Sequence, residues 1–584
     1  MELTSTATGK RGQASFVRST RRASSSQTGK RGQASFVRST RRASSSQKRP
    51  DPFFPRLLLV VAILLGCAGH AAADAEPTPQ AIVVCPPSLQ PALQPWLIRR
   101  RAEGLHAHVV APGPTADSTR QAITAAAIPG TTRYVLLVGD SRLTDQGTPA
   151  DPQTYVPTIY SGADATAPWQ PSPHLPGDYL YGDFNRDGEV NAAVGRLPVR
   201  SPAQATEILA RIAAYEDSRD FGRWRSRVDL VAGLGGFGAL VDGAIETVAS
   251  GMITGSLPGS VRTRVTHAGP KSLFCPGPEC FTDTVLANYR DGARFWVYAG
   301  HGHICELDRV PAGPYGRPVL TTDDVGYLQR PADSAPIALL LACYTGAFDA
   351  TEDCLAQRML LASGGPVAVL AGSRVTMPYG NAAAALALIH SVYYRQPQRL
   401  GDAWLDTLTE LATPSDADPE LQSRRLVIDG LATMLGGGRI DAERREHMQL
   451  YNWLGDPTMR LDHPHKIDLE LLPKSVAGTP LAISGSTPLA GRLTVELHRR
   501  IGTVPPSPTD ESSVPLPPSD TDEIARYRLA NDTSVTRCRI DISQPGSWQA
   551  ELDLPPGVTG PMRLLVDLEG ADGFASGSQS VWVR

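Results

Sequence analysis

Lysine is nearly missing from this chain: six of its 56 basic residues are Lys, and arginine carries the rest, as a codon bias would produce. Positive charge is also unevenly spread. Residues 1–73 hold thirteen basic and two acidic side chains, leaving 43 basic and 57 acidic beyond them, a net −14. An acidic body without a long basic stripe excludes nucleic acid as the main partner. Long apolar runs are lacking too. The longest candidate, Leu57–Leu65, is about half the ~20 residues that span a bilayer, so no permanent transmembrane helix is expected. Cysteine is sparse, and of the eight present Cys67 falls in a leader segment, which leaves an odd number, seven, and so at least one free thiol after export. With 41% hydrophobic and 20% charged residues, neither a wholly disordered nor a collagen-like chain fits. A length of 584 residues leaves room for three or four domains.

The first segment, 1–73, is set apart from the fold. Residues 8–27 recur letter for letter as 28–47, a Ser/Arg/Gly-rich duplication that cannot build a core. It reads either as a disordered leader or as sequence upstream of the true start codon. Lys48, Arg49 and Arg56 then precede the apolar run and the small residues Gly66-Cys67-Ala68-Gly69, ending at Ala71-Ala72-Ala73. Basic flank, short apolar centre and small residues spell a secretory signal and a secreted or cell-envelope protein. Leu64-Leu65-Gly66-Cys67 also resembles a bacterial lipoprotein box, with Cys67 as the lipid anchor; ordinary cleavage after Ala73 is the preferred reading.

Two α/β segments follow, 78–222 and 223–463. Ala81–Cys85, Tyr134–Val138, Arg227–Ala232, Arg294–Ala299, Pro336–Ala342 and Pro366–Ala371 are short continuous apolar runs, the pattern of strands buried on both faces of a parallel sheet. Helical stretches lie between them. One spans about Leu89–Gly104; another opens on Ser201-Pro202-Ala203-Gln204, an N-cap, a first-turn proline and a capping-box glutamine. Across 466–584 the apolar period becomes two, as in Leu493/Val495/Leu497 and Leu564/Val566/Leu568, which predicts a β-sandwich interrupted by a Pro/Ser/Asp loop, Gly502–Glu523.

Chemistry-bearing residues gather where two strands end. Phe295–Gly300 runs into His301-Gly302-His303, and Ile337–Ala342 runs into Cys343-Tyr344-Thr345-Gly346. Functional groups of open α/β sheets sit just beyond the carboxyl ends of strands. A thiol next to an imidazole can become a nucleophilic thiolate, and flanking small residues leave peptide N–H groups to bind an oxyanion. The alternative is a buried structural cysteine and a capping histidine.

Other patterns are weaker. His301, His303 and Cys305 form an H-x-H-x-C run that could hold zinc on a continuing strand, although Gly300 and Gly302 argue that the strand has ended. Asp183, Asn185, Asp187 and Glu189 resemble the first half of a calcium loop, with Val194 where an EF-hand has its closing Glu; a non-EF calcium site and a solvated turn both fit. Gly233-Leu-Gly235-Gly-Phe-Gly238 mimics a dinucleotide fingerprint but lacks the acidic residue ~20 positions on, and reads as a tight strand-to-helix turn. Cys275-Pro-Gly-Pro-Glu-Cys280 looks like a local disulfide closed over a turn.

Tyr-Ala-Gly-His-Gly (298–302), Leu-Leu-Ala-Cys-Tyr-Thr-Gly (340–346), Gly-Gly-Pro-Val-Ala-Val-Leu-Ala-Gly-Ser-Arg-Val (364–375), Ala-Val-Gly-Arg-Leu-Pro-Val (193–199) and Tyr-Asn-Trp-Leu-Gly-Asp-Pro (451–457) all stand in this α/β region. In these motifs and their order the chain resembles the gingipain family of cysteine peptidases across about 81–465. That resemblance implies a caspase-like three-layer α/β/α catalytic region with a small immunoglobulin-like domain behind it. It makes Cys343 the nucleophile and His301 the general acid/base, with the N–H groups of Gly302 and Cys343 as the expected oxyanion hole. It also implies a protein or peptide substrate and no cofactor for the chemistry, calcium being at most structural. One position departs from the family. Where its members carry an acid four residues before the Gly of Gly-Arg-Leu, this chain has Asn191, expected to orient the histidine through a neutral hydrogen bond, with Glu189 or Asp187 nearby as the alternative source of the charge. Two other functions stay open on the same residues: a secretion-linked transpeptidase or sortase, and a non-catalytic adhesin or pseudoenzyme.

Overall fold

The computed structural model describes residues 78–234, 255–312, 314–434, 438–502 and 520–584. The duplicated leader, the signal segment, Cys67, Gly235–Gly238 and most of the Gly502–Glu523 loop lie outside the described residues. Ten strands make one sheet: β1 (Ala81–Val84), β2 (Ala107–Val110), β3 (Tyr134–Val138), β4 (Ala193–Leu197), β5 (Arg227–Ala232), β6 (Arg262–His267), β7 (Phe295–Ala299), β8 (Ile337–Leu341), β9 (Ala368–Gly372) and β10 (Tyr451–Leu454), in the order β2-β1-β3-β4-β10-β9-β8-β7-β5-β6. All neighbours are parallel except β9 and β10. The sheet therefore crosses the expected boundary at 222/223 without a break, because β10, from the far end of the α/β region, pairs with β4.

Alternation along the strands shows why the sheet is buried on both sides. Val83, Leu136 and Val138 join the main core, while Ile82, Val84, Val135 and Leu137 join a second cluster on the opposite face. The helix begun by Ser201 runs over Pro202–Glu216; Ser201 accepts the Gln204 N–H, and the Gln204 side chain accepts the Arg200 N–H. Motif residues turn out to be braces. Arg196 is fully buried on Asp178 at 2.6 and 2.8 Å, and Asp456 takes bonds from Trp96, Arg100 and Thr458.

The C-terminal region is a β-sandwich of two sheets. One contains β13 (Gly491–Arg499), β14 (Ser534–Ile542), β16 (Gly560–Glu569) and β17 (Phe574–Val583); the other contains β11 (Asp468–Glu470), β12 (Pro480–Thr487) and β15 (Gly546–Asp553). Leu493, Val495 and Leu497 face Leu564, Val566 and Leu568 in one core, as the period of two requires. The segment expected to be a loop ends in a helix, Asp520–Asn531, which packs on the α/β sheet. Its Asn531 amide pairs with both backbone groups of Val265 (2.8 and 2.9 Å) and so covers the edge strand β6. Its Tyr527 hydroxyl meets Thr266 and Asn288. A charged seam continues the contact: Arg262 and Arg223 reach the buried Glu496, and Arg262 also reaches Asp567. Burial alone would raise the Glu496 carboxyl, but bonds from His498 and Arg262 and the charge of Arg223 outweigh it and hold the carboxyl well below its usual range.

Candidate active site

Register brings the cysteine and the histidine together. In the parallel pair β7–β8, Tyr298 stands opposite Leu340 and Ala299 opposite Leu341. The ladder continues through Gly300 N–H to Leu341 C=O at 3.4 Å. Beyond the ladder both chains leave their strands, so the turns that carry His301 and Cys343 follow neighbouring strands at the same edge of the sheet. Gly302 makes the approach feasible: a Cβ there would lie 2.8 Å from each of Ala342 Cβ, Cys343 O and Thr345 Cγ2.

Backbone strain marks the turn after Cys343. Tyr344, directly after Cys343, has φ +58°, a left-handed conformation rarely taken by a bulky residue and typical of sharp functional turns. Its N–H is tied to Arg374 C=O and the Gly346 N–H to Gly372 C=O, so the turn is stitched to the end of β9. The Cys343 thiol is half-buried against Thr376, whose N–H points at Sγ from 3.4 Å and whose carbonyl lies 3.5 Å away. Arg374 grips Asp349 with two bonds (2.9 and 2.7 Å), and Tyr160 donates to the same carboxylate. Gln170 pairs with both backbone groups of Val375.

His301 is held through its main chain. The buried Tyr298 hydroxyl donates to His301 C=O at 2.7 Å, and the Asp308 N–H donates to the same oxygen at 3.1 Å. Asp308 in turn accepts the Leu234 N–H at the end of β5. Gly300 and Gly233 leave room for the Tyr298 hydroxyl, which a Cβ would meet at 2.6 and 2.7 Å. Close packing, not phosphate binding, accounts for the first glycine of the 233–238 run. Burial, followed by the charge of Asp308, pushes the Tyr298 hydroxyl well above its ordinary range, and burial does the same to Tyr451 at the far side of Cys343.

Other expected residues lie apart. Asn191 accepts the Phe184 N–H within its own loop (2.9 Å) and precedes β4, four strands from β7. Strand order, invisible in a motif, thus sets the strand that follows Asn191 four places from the one that leads to His301. Glu189 and Asp187 share that loop. Asp183 accepts from Gly188 N–H and Arg120 with one oxygen, while its other oxygen is buried without a partner. Asn185 donates to Asp187, which also accepts the Glu189 N–H. His303 is exposed, and Cys305 leans on Glu352, its thiol raised by burial and by that charge. Among the described residues no three His, Cys, Asp or Glu side chains converge as a metal set. The Cys275–Cys280 bridge is not formed: Cys275 is buried in the core while Cys280 sits at the N-cap of the Phe281–Asp291 helix, and all seven described cysteines are free thiols.

Thr376 escaped the sequence reading, and Tyr298 and Tyr451 entered it only as motif residues without a role. The signal was available for Thr376, since β9 is a third strand ending at the same edge, one residue beyond the motif that closes at Val375.

A family model for peptidase family C25 matches residues 74–462, two-thirds of the chain. The chain belongs to that family. It is a cysteine peptidase, and protein is its substrate class. Among solved structures it is similar to the Arg-specific cysteine proteinase gingipain R (14% identity, TM-score 0.47, 87% of this chain and 98% of that one). It is also similar to the complex of Porphyromonas gingivalis RgpB pro- and mature domains (14%, 0.46, 86% and 100%). Among curated proteins nothing matches by sequence. No helix among the described residues is long and apolar enough to cross a membrane.

Proposed function

We propose that this C25 peptidase is an exported endopeptidase that works through a Cys343 acyl-enzyme. The reading is supported by the parallel register of β7 and β8, whose ends lead into His301 and Cys343 at one sheet edge. The Cys343 thiolate attacks the peptide carbonyl carbon, and the oxyanion is taken by N–H groups of the His301-Gly302 and Cys343 turns. Protonated His301 gives its proton to the leaving amine as the C–N bond breaks. The imidazole then takes a proton from water, which attacks the thioester, releases the carboxylate product and returns the thiol. Peptide binding and the N–H donors are supplied by the chain itself, and no metal enters a step. Export rests on the basic-apolar-small segment 48–73 and is tested by N-terminal sequencing of the protein recovered outside the cell, which should begin near Asp74; retention of residues 1–73 would overturn it. We assign the 183–189 loop a structural calcium, supported by the one buried Asp183 carboxylate oxygen that meets no protein donor.

The chemistry is tested by trapping. A peptidyl fluoromethyl ketone should add to the Cys343 peptide in mass spectra and to no other cysteine. Modification elsewhere, with Cys343 unmodified and activity lost, would reject the assignment. Product analysis with an added amine separates hydrolysis, which should dominate, from acyl transfer.

A further inference from the structure

We infer that His447 is a positioning residue that aims the Thr376 N–H at the nucleophile, a role that rests on Cys343 being that nucleophile. His447 lies on the Ile440–Leu450 helix and is fully buried. Its two ring nitrogens have opposite duties. Nδ1 is 2.7 Å from Glu443 C=O, one helical turn back, and therefore carries the proton. Nε2 is left as an acceptor and receives the Met377 N–H at 2.9 Å. The preceding peptide unit presents the Thr376 N–H to Cys343 Sγ at 3.4 Å. Pro378 follows and starts the Pro378–His390 helix, so the short piece between β9 and that helix has its direction set at Met377.

Space for the ring is specifically provided. A Cβ on Gly380 would lie 2.3 Å from the His447 Cγ and Nδ1 atoms, so any other residue there would evict the imidazole. The groups facing the ring are accounted for. Tyr451 packs at 6.1 Å between ring centroids; the Glu443 carboxylate accepts the Gly380 N–H; the Glu446 carboxylate is wrapped by the N–H groups of Asp164, Ala165 and Thr166. Burial pulls the imidazole down to about 4, which keeps it neutral and Nε2 open as an acceptor at ordinary pH. An N–H donor at a sulfur stabilises the thiolate over the thiol. Moving that donor should therefore raise the thiol's pKa and slow acylation, with little effect on substrate binding.

The test compares His447→Leu, which keeps bulk but offers no acceptor, with His447→Gln, which restores one. Gly380→Ala displaces the ring by an independent route. For each folded variant, iodoacetamide alkylation of the Cys343 peptide is followed against pH by mass spectrometry, beside kcat and KM on a peptide substrate. Expected are an alkylation midpoint shifted toward alkaline pH and a kcat about ten- to a hundredfold lower in His447→Leu. KM should stay within about twofold, Gly380→Ala should shift in the same direction, and His447→Gln should lie closer to wild type. An unchanged alkylation midpoint in the Leu variant, or Gln and Leu variants equally impaired, would overturn the role. Failure of the underlying reading looks different: Cys343→Ala would retain activity, whatever His447 does.

Discussion

The α/β sheet and the sandwich are both built on apolar strands, yet only one of them ends in chemistry. Along β7, β8 and β9 every strand is buried on both faces, so polar residues are excluded until the strand stops. Because the three strands run in parallel and in register, everything excluded emerges at one edge: His301, Cys343 and Thr376. Sandwich strands alternate their apolar residues instead, and the polar ones between them are exposed or, like Glu496 and Asp567, taken into the charged seam with the α/β sheet rather than released at a strand end. The two regions meet through charge at Glu496 and through the Asn531 amide, contacts that brace the sheet from its edge strand β6. One region reacts; the other holds.

That division can be broken from either side. His301→Ala should lower kcat/KM about a thousandfold, in the range of lost general acid–base catalysis, with an unchanged melting temperature. His303→Ala, on the exposed loop, should stay within a fewfold; the reverse order would place the imidazole role on the wrong residue. The opposite dissociation is expected at the seam. Arg262→Ala leaves Glu496 and Asp567 short of their shared partner and should cost about 3 kcal/mol of stability, read by urea unfolding, with kcat of the folded fraction preserved.

The seam also predicts an acid limit. Glu496 has a folded-state pKa below its unfolded value of about 4.3, so its contribution is full above that value and fades as pH falls through the folded value. Unfolding free energy should therefore drop steeply below about pH 4, and Glu496→Gln should flatten that slope. A slope identical in the variant would remove Glu496 from the account. The smallest effect is assigned to calcium. Chelator should lower the melting temperature by a few degrees, and added calcium should restore it by mass action; Asp183→Asn should abolish the response.

The same comparison explains what could be read from the chain. Continuous apolar runs located β1, β3, β5, β7, β8 and β9 within one or two residues, and alternation located the sandwich core. The strand β6, Arg-Thr-Arg-Val-Thr-His, was missed because an edge strand covered by side chains from another region need not be apolar. The Asp520–Asn531 helix was missed because its sequence is polar and its partner is the distant β6. Cys343 and His301 stood out as candidates because strand ends are legible, whereas the place of the Asn191 loop across the sheet follows from lateral strand order, a tertiary property. Thr376 touches the sulfur through a backbone N–H, so only its place after β9, not its residue type, could have marked it.

The most direct measurement is cleavage of a heterogeneous protein substrate such as casein by wild type and Cys343→Ala at matched melting temperature. The account predicts new amino termini with the wild type and none above background with the variant, since the substitution removes only the sulfur and leaves the sheet intact. Undiminished cleavage by Cys343→Ala would contradict it.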